Sequence, residues 1–463
     1  MKNRQVIKFS IYIICLFFIT GQVSAQEEIP PLPQYVVQSG DTLSKIASRF
    51  GISENELINE NNILNPNLLY AGAVITLPGV NWIEGVIDAY NVPVGETFRT
   101  ISRRFNFDTN TLVRLGSLAS PSQLFAGYPL LLVTGRGEDF SVGRAAVGPA
   151  TSIFEIAVGS GINPWTIVAG NKLPDSSAAI QGDVLLLPGT DDPGPGALPS
   201  PLKIEIRGGD FIQGKTVIIA VGAGGEQVQL SGEYLDHKLN FFTTGEGEYV
   251  ALQGIHAMMT LGVYPLKIQG IMPDGSSFEY SQMVAVKSGE YGSEPLHVDP
   301  SYLDPVANET ESTYLDMATT YISPEKIWDG AFQIPVKYGS QIKSVFGTRR
   351  SFNGSPYDYF HSGVDFGWDA GVDILAPAKG VVVSVGFLEI RGNVTIIDHG
   401  WGIFTLYAHQ ADIFVEVGDI VEPGQLIGHI GSTGRSSGPH LHWEVWAGGV
   451  QVEPLDWIYH TYP

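Results

Sequence analysis

A chain of 463 residues carrying 48 acidic against 26 basic side chains, for a net charge of −22, is too long for one hydrophobic core and divides into several domains. That acidity argues against nucleic acid as a partner, because binding it needs clustered Lys and Arg to displace counterions. The single cysteine, Cys15, rules out an internal disulfide and a thiolate metal site.

Residues 1–25 follow the order of a secretory signal: Lys2, Arg4 and Lys8, an apolar run from Phe9 to Thr20, then Val23, Ser24 and Ala25 ahead of Gln26. The run is shorter than the about 20 residues a spanning helix needs. Cleavage is therefore expected over retention as an anchor, giving a chain secreted to the cell wall or envelope and free of the membrane. Cys15 lies inside the run, away from its end, where a lipid-bearing cysteine would stand. Loss of Lys2, Arg4 and Lys8 takes the net charge from −22 to −25.

From Tyr35, "YVVQSGDTLSKIASRFGISENELINENN" is followed 55 residues later by "YNVPVGETFRTISRRFNFDTNTLVRLG" from Tyr90. The register continues. Thr42, Thr97 and Ser152 align, as do Ile46, Ile101 and Ile156, then Leu57, Leu112 and Ile167, and the closing strands "AVITLPG", "PLLLVTG" and "DVLLLPG" keep Leu77, Leu132 and Leu187 in phase. A fixed period implies three copies of one module. In each, a Thr or Ser able to cap a first turn precedes apolar residues at helical spacing, and the order is strand, helix, helix, strand. The pattern resembles the LysM family, and the first copy is a close match. The resemblance implies small α/β modules at 34–79, 89–134 and 144–189 that bind N-acetylglucosamine-containing glycan such as peptidoglycan. The second copy has Gly116 where the first has Asn61, and the third lacks the aspartate after glycine.

"TDDPGPGALPSP", residues 190–201, reads as a linker. Between 202 and 288, apolar stretches such as "LKIEIRG", "TVIIAVGAG" and "YPLKIQGIM" separated by turn residues predict an antiparallel, Ig-like β-sandwich acting as a spacer. His237 and His256 stand alone there. An acidic stretch, 289–330, reads as a linker with one short helix, and His297 within it stands alone too.

Six of the ten histidines fall between positions 361 and 442. His361 precedes Asp365 in "HSGVDFG", a loop entering a strand, and His409 ends the apolar strand "TLYAHQ". In "GPHLHWEVW" residues two apart share a strand face, about 6.6 Å apart, so His440 and His442 project together while Leu441 and Trp443 pack the other way. Imidazole and carboxylate are zinc ligands, and a catalytic zinc keeps three protein ligands and an open position. It lowers the pKa of water from about 15.7 to about 7.

Together with "SVFGTRR", "APAKGVVVSVG", "IIDHGWGIFTLYAH", "VEPGQLIGHIGSTGRSSGPHLHWEV" and "PLDW", these signals resemble the LytM or lysostaphin type of zinc endopeptidase. The resemblance covers about 334–457 of a domain at 331–463. It implies a mostly antiparallel β domain of the duplicated-hybrid-motif type, one Zn2+ held by His361, Asp365 and His442, and an unliganded pair, His409 and His440, serving the attacking water and the oxyanion. Its implied substrate is a peptide of peptidoglycan, a stem or cross-bridge. Tyr407 shares the face of His409 if that strand is regular, and is then a candidate for the oxyanion. Arg349 and Arg350 read as pairing residues, and His399 and His429 as structural ones. The alternative reading is a catalytically silent wall-bound regulator that activates a peptidoglycan amidase.

Overall fold

The computed structural model describes residues 31–463 apart from 121–122, 135–141, 149–150, 190–195, 246, 304, 337–340 and 368. The expected signal at 1–25 and the first half of the expected Pro/Gly linker lie outside the described residues. Described residues up to Ile87 form one unit and those from Asp88 a second. Among the described residues no helix is long and apolar enough to cross a membrane.

In the first unit, strands Gln34–Val36 and Val74–Thr76 pair antiparallel beside helices Leu43–Phe50 and Glu54–Glu60. The Thr42 hydroxyl accepts from the Lys45 amide, and Gly51 ends the helix at φ 70, a left-handed conformation that costs a residue without Cβ nothing. Leu43, Ile46, Ala47 and Phe50 form the buried stripe. Asn61 stitches the second helix to the closing strand: its Nδ2 donates to Leu57 O and Thr76 O at 2.9 and 2.8 Å, and its Oδ1 accepts from Thr76 N at 2.7 Å.

The second unit repeats the two helices at Phe98–Arg104 and Thr109–Gly116, and again at Ile153–Ser160 and Pro164–Gly170, capped by Thr97, Asp108, Ser152 and Asn163. Asn171 repeats the stitch of Asn61 by bonding Ile167 and Leu186. Gly116 replaces it in the second copy because a Cβ there would stand 2.8 Å from the Leu118 and Leu130 side chains; its carbonyl accepts from the Tyr128 hydroxyl at 2.7 Å instead. Both copies meet the strand Ser277–Lys287. Gly95 N donates to Gln282 Oε1 at 2.9 Å, Ala126 N to Met283 O at 2.9 Å, and Glu279 N to Gly182 O at 3.2 Å. Ala197 and Leu198, at the end of the expected linker, and Leu202 just beyond it are buried in this region.

The middle domain is two sheets around one core. One runs Phe242–Thr243, Glu248–Gly254, Thr216–Gly222, Lys203–Arg207; the other runs His237–Leu239, Gln229–Tyr234, Gly262–Ile271, Ser277–Lys287, Phe211–Ile212. It is not a detached spacer. Val217, Ile219 and Val221 face the shared core, whereas Ile218, Ala220, Val250 and Leu252 face a second core formed with Trp328, Trp401, Val452 and Trp457. Phe242 stacks on Trp401 with centroids 5.4 Å apart.

That second core belongs to the C-terminal domain, whose main strands are β1 (Gln341–Ser344), β2 (Val364–Gly367), β3 (Gly380–Leu388), β4 (Gly392–Gly400), β5 (Ile403–Ile413) and β6 (His440–Ala447). Their order is β1-β2-β6-β5-β4-β3, antiparallel throughout. One face carries Leu441, Trp443, Val445 and Ala447 into the core; Phe404, Leu406, Ala408 and Trp446 form a smaller cluster on the other. Residues 289–330 are not a free linker. Ser293–Leu296 pairs in parallel with Arg349–Phe352, and helix α1 (Pro305–Ala318) buries Leu315 in the smaller cluster.

Candidate active site

Register places the candidate residues. Asp365 on β2 lies directly opposite His442 on β6, and His442 opposite Ala408 on β5. His361 arrives on the loop before β2, its amide donating to Thr348 O at 3.0 Å. Three ligand atoms converge: His361 Nε2 is 3.0 Å from Asp365 Oδ1, Asp365 Oδ1 is 2.8 Å from His442 Nδ1, and the two nitrogens are 3.1 Å apart. Among the described residues this is the one group of three His, Cys, Asp or Glu side chains placed to hold a metal ion.

The protons can be assigned from the outward partners. His361 Nδ1 faces the Val345 carbonyl at 3.0 Å, which only accepts, so Nδ1 carries hydrogen and Nε2 offers a lone pair. His442 Nε2 faces the buried Glu444 carboxylate at 2.9 Å, so Nδ1 is its inward lone pair. Two inward nitrogens and a carboxylate oxygen thus crowd together, a repulsive set unless positive charge, a proton or a metal ion, lies between them. Ligands about 2.0–2.1 Å from one tetrahedral ion stand roughly 3.3 Å apart, close to the spacing seen here. The electrostatics agree. Burial opposes a charged His442, but hydrogen bonds and charge from Asp365 and Glu444 outweigh it and push its pKa up to about 9. Burial would raise Asp365, yet His361 and His442 hold it well below the usual carboxylate range. The residues present therefore fit a metal ion.

His409 and His440 lie beside this group, with centroids 4.7 Å apart and His409 6.2 Å from His442. His409 Nδ1 donates to Thr433 O and His440 Nδ1 to Gly438 O, each at 2.8 Å, which leaves both Nε2 atoms as acceptors. Burial, reinforced by His442 and His440, pushes His409 down to about 3, so it is neutral at neutral pH. All five residues line one cavity of about 690 Å³, which Arg350, Arg435 and helix α1 also border.

Tyr407 does not join them. It is wholly buried in the main core, with its hydroxyl 2.9 Å from Thr405 Oγ1. His409 has φ 60 and the ladder shifts register beside it, so alternation breaks between the two residues and turns His409 to the opposite face. A contact of Tyr407 with an oxyanion is thereby excluded. Arg349 pairs across to the middle domain, donating to Ala257 O at 2.5 Å, and Arg350 pairs with Glu294 at 2.9 Å. His399 lies buried between Lys379 O and Thr405, and His429 between Asp412 and Asp373. His256 accepts from Met258 N at 3.1 Å, while His297 borders the cavity.

The sequence reading missed Glu444, which accepts from His442, Ser362, Arg391 and Trp446 and is fully buried. The strand alternation that pairs His440 with His442 already puts residue 444 on the same face.

Comparison with known proteins follows the same division. Residues 359–454 match Peptidase family M23, and residues 35–78 and 90–132 match the LysM domain. DD-carboxypeptidase/endopeptidase Mpg of Neisseria meningitidis serogroup B is 37% identical over 129 residues, 27% of this chain and 29% of that protein. Peptidoglycan DD-endopeptidase ShyA of Vibrio cholerae is 37% identical over 126 residues, again 27% and 29%. The chain thus spans under a third of the length of these relatives. Among solved structures, the antimicrobial peptidase lysostaphin from Staphylococcus simulans is 32% identical, covering 21% of this chain and 44% of that one at a TM-score of 0.21. The converging His-Asp-His group and the two family matches lead to one assignment: the chain carries a Peptidase family M23 domain preceded by two LysM domains.

Proposed function

We propose that this chain is an exported zinc endopeptidase that hydrolyses peptide bonds in peptidoglycan stem peptides or cross-bridges, held to the wall by LysM binding of N-acetylglucosamine glycan. The bond type named for the two relatives, a DD linkage, is the first candidate. The observation that carries the reading is the trio of two inward imidazole nitrogens and a carboxylate oxygen within 3.1 Å of one another, flanked by the imidazoles of His409 and His440, whose Nδ1 atoms are held by backbone carbonyls. His361, Asp365 and His442 would hold the Zn2+, which supplies Lewis acidity that polarises a peptide carbonyl and acidifies a nearby water.

The chain's own residues do the rest. The Nε2 of His409 or His440 accepts the proton of the attacking water, and the imidazolium formed returns it to the departing amine. Protonated, the same rings donate to the oxyanion of the tetrahedral intermediate. Against a regulator reading stands the shared cavity bordered by His361, Asp365, His409, His440 and His442 together. The third repeat, at 144–189, serves in this proposal as a further LysM-like module.

The test is to incubate the full chain with purified walls of defined cross-link type and identify released fragments by mass spectrometry. Cleavage should stop with a zinc chelator and return with added Zn2+. Failure to release peptide fragments from any wall, together with stimulation of an amidase, would establish the regulator instead.

A further inference from the structure

Helix α1 comes from a stretch that reads as a linker, yet its Glu311 is almost wholly buried, 3% exposed, beneath the site. Its Oε1 accepts from the backbone amides of Ile390, in a short hydrogen bond, and of Arg391 at 3.2 Å. Its Oε2 accepts from the Arg391 guanidinium at 3.0 Å. One carboxylate therefore satisfies two backbone donors and one charged donor of a single turn between β3 and β4.

That turn holds the site from three sides. The Arg391 guanidinium donates to Glu444 Oε1 at 2.7 and 3.1 Å, and the same oxygen accepts from His442 Nε2 at 2.9 Å. The Arg391 carbonyl accepts from the His409 amide at 2.8 Å, at the residue whose φ of 60 turns its ring toward His440. The Ile390 carbonyl accepts from Arg435 N at 2.8 Å, in the loop that leads into His440. One turn thus contacts the supports of a metal ligand and of both proton-transfer imidazoles, and Glu311 is the side chain that fixes the turn.

We propose that Glu311 is a positioning residue of the active site: through the Ile390–Arg391 turn, helix α1 sets the relative placement of His442, His409 and the His440 loop. The inference rests on the endopeptidase reading above. Glu311 bonds to the turn and to none of the three converging atoms of His361, Asp365 and His442. Its removal should therefore act on turnover and on the metal environment while leaving substrate affinity and the fold in place. Outer partners of metal-site residues typically influence affinity or activity by about 10- to 100-fold.

The experiment compares the full chain with Glu311→Ala, Glu311→Gln, Arg391→Lys and, as a control from the exposed side of the same helix, Glu309→Gln. Glu311→Ala should lower kcat about 10-fold or more with KM within about twofold, and Glu311→Gln, which keeps an acceptor for the two amides, should recover part of the loss. Combining Glu311→Ala with Arg391→Lys should cost little more than the worse single change, because both act through one turn. The Co2+-loaded protein supplies a readout independent of turnover: its visible absorption bands should shift in Glu311→Ala and match wild type in Glu309→Gln. If Glu311→Ala does not fold, Glu311→Gln and Arg391→Lys decide by the same two readouts. Folded variants with wild-type kcat and an unchanged Co2+ spectrum overturn the inference. A wild-type chain that cleaves no wall, with the Co2+ spectra still shifted, overturns the endopeptidase reading and leaves this one standing.

Discussion

His409 is neutral because burial and two neighbouring imidazoles disfavour its charged form, and a general base must be unprotonated before it can act. His409→Ala should keep stoichiometric metal while lowering kcat by about 100-fold or more. His442→Ala should lose both, because it removes one of the three proposed ligand atoms; metal titration with parallel wall digestion separates the cases. His399 makes a prediction about stability. Wholly buried with both nitrogens engaged, it is pushed down to about 4, so in the unfolded chain it binds a proton that the fold refuses. Its contribution is complete above about pH 6.5 and is lost as pH falls from there toward 4, worth roughly 3 kcal/mol across that window. Urea unfolding should weaken over that range, and His399→Gln should flatten the dependence. The shared face of His440 and His442 was legible in the sequence because side chains alternate along a strand. The same rule misplaced Tyr407, because nothing in "TLYAHQ" announces a left-handed residue at His409.

At the scale of elements, the site depends on β2 lying close against β6. A Cβ added at Gly363 would stand 2.3 Å from Trp443 O and 3.0 Å from His442 Cε1, so the strand entrance must shift and carry Asp365 away from His442. Gly363→Ala should weaken metal binding at least tenfold while the core stays folded, measured by chelator competition and circular dichroism. Helix α1 was legible as a short helix but not as a wall of the site. Glu311 and Arg391 are 80 residues apart, and no local spacing reports such a pair. Asn61 and Asn171 show the opposite case, since their period places each at the same helix-to-strand stitch.

Across the whole second unit, the unbroken apolar run "TVIIAVG" signals more than an ordinary sandwich strand. Thr216–Gly222 is buried on both faces, and unbroken apolar runs accompany such burial whereas half-exposed strands alternate. The middle and peptidase domains therefore share side chains and should unfold together. Calorimetry of the full chain should show one transition for both, and Gly254→Val, whose Cβ would meet Val452, Ala447 and Val450 within 2.9 Å, should lower it by about 1–3 kcal/mol. Two separable transitions would contradict a shared core.

The strand Thr216–Gly222 also limits how the M23 domain can be transplanted. A fragment cut at residue 331 would leave Trp401, Val452 and Trp457 without the sheet that covers them, and apolar ground bared on that scale invites self-association. Grafting the M23 domain onto another carrier would mean bringing its neighbour along or resurfacing the seam with polar side chains.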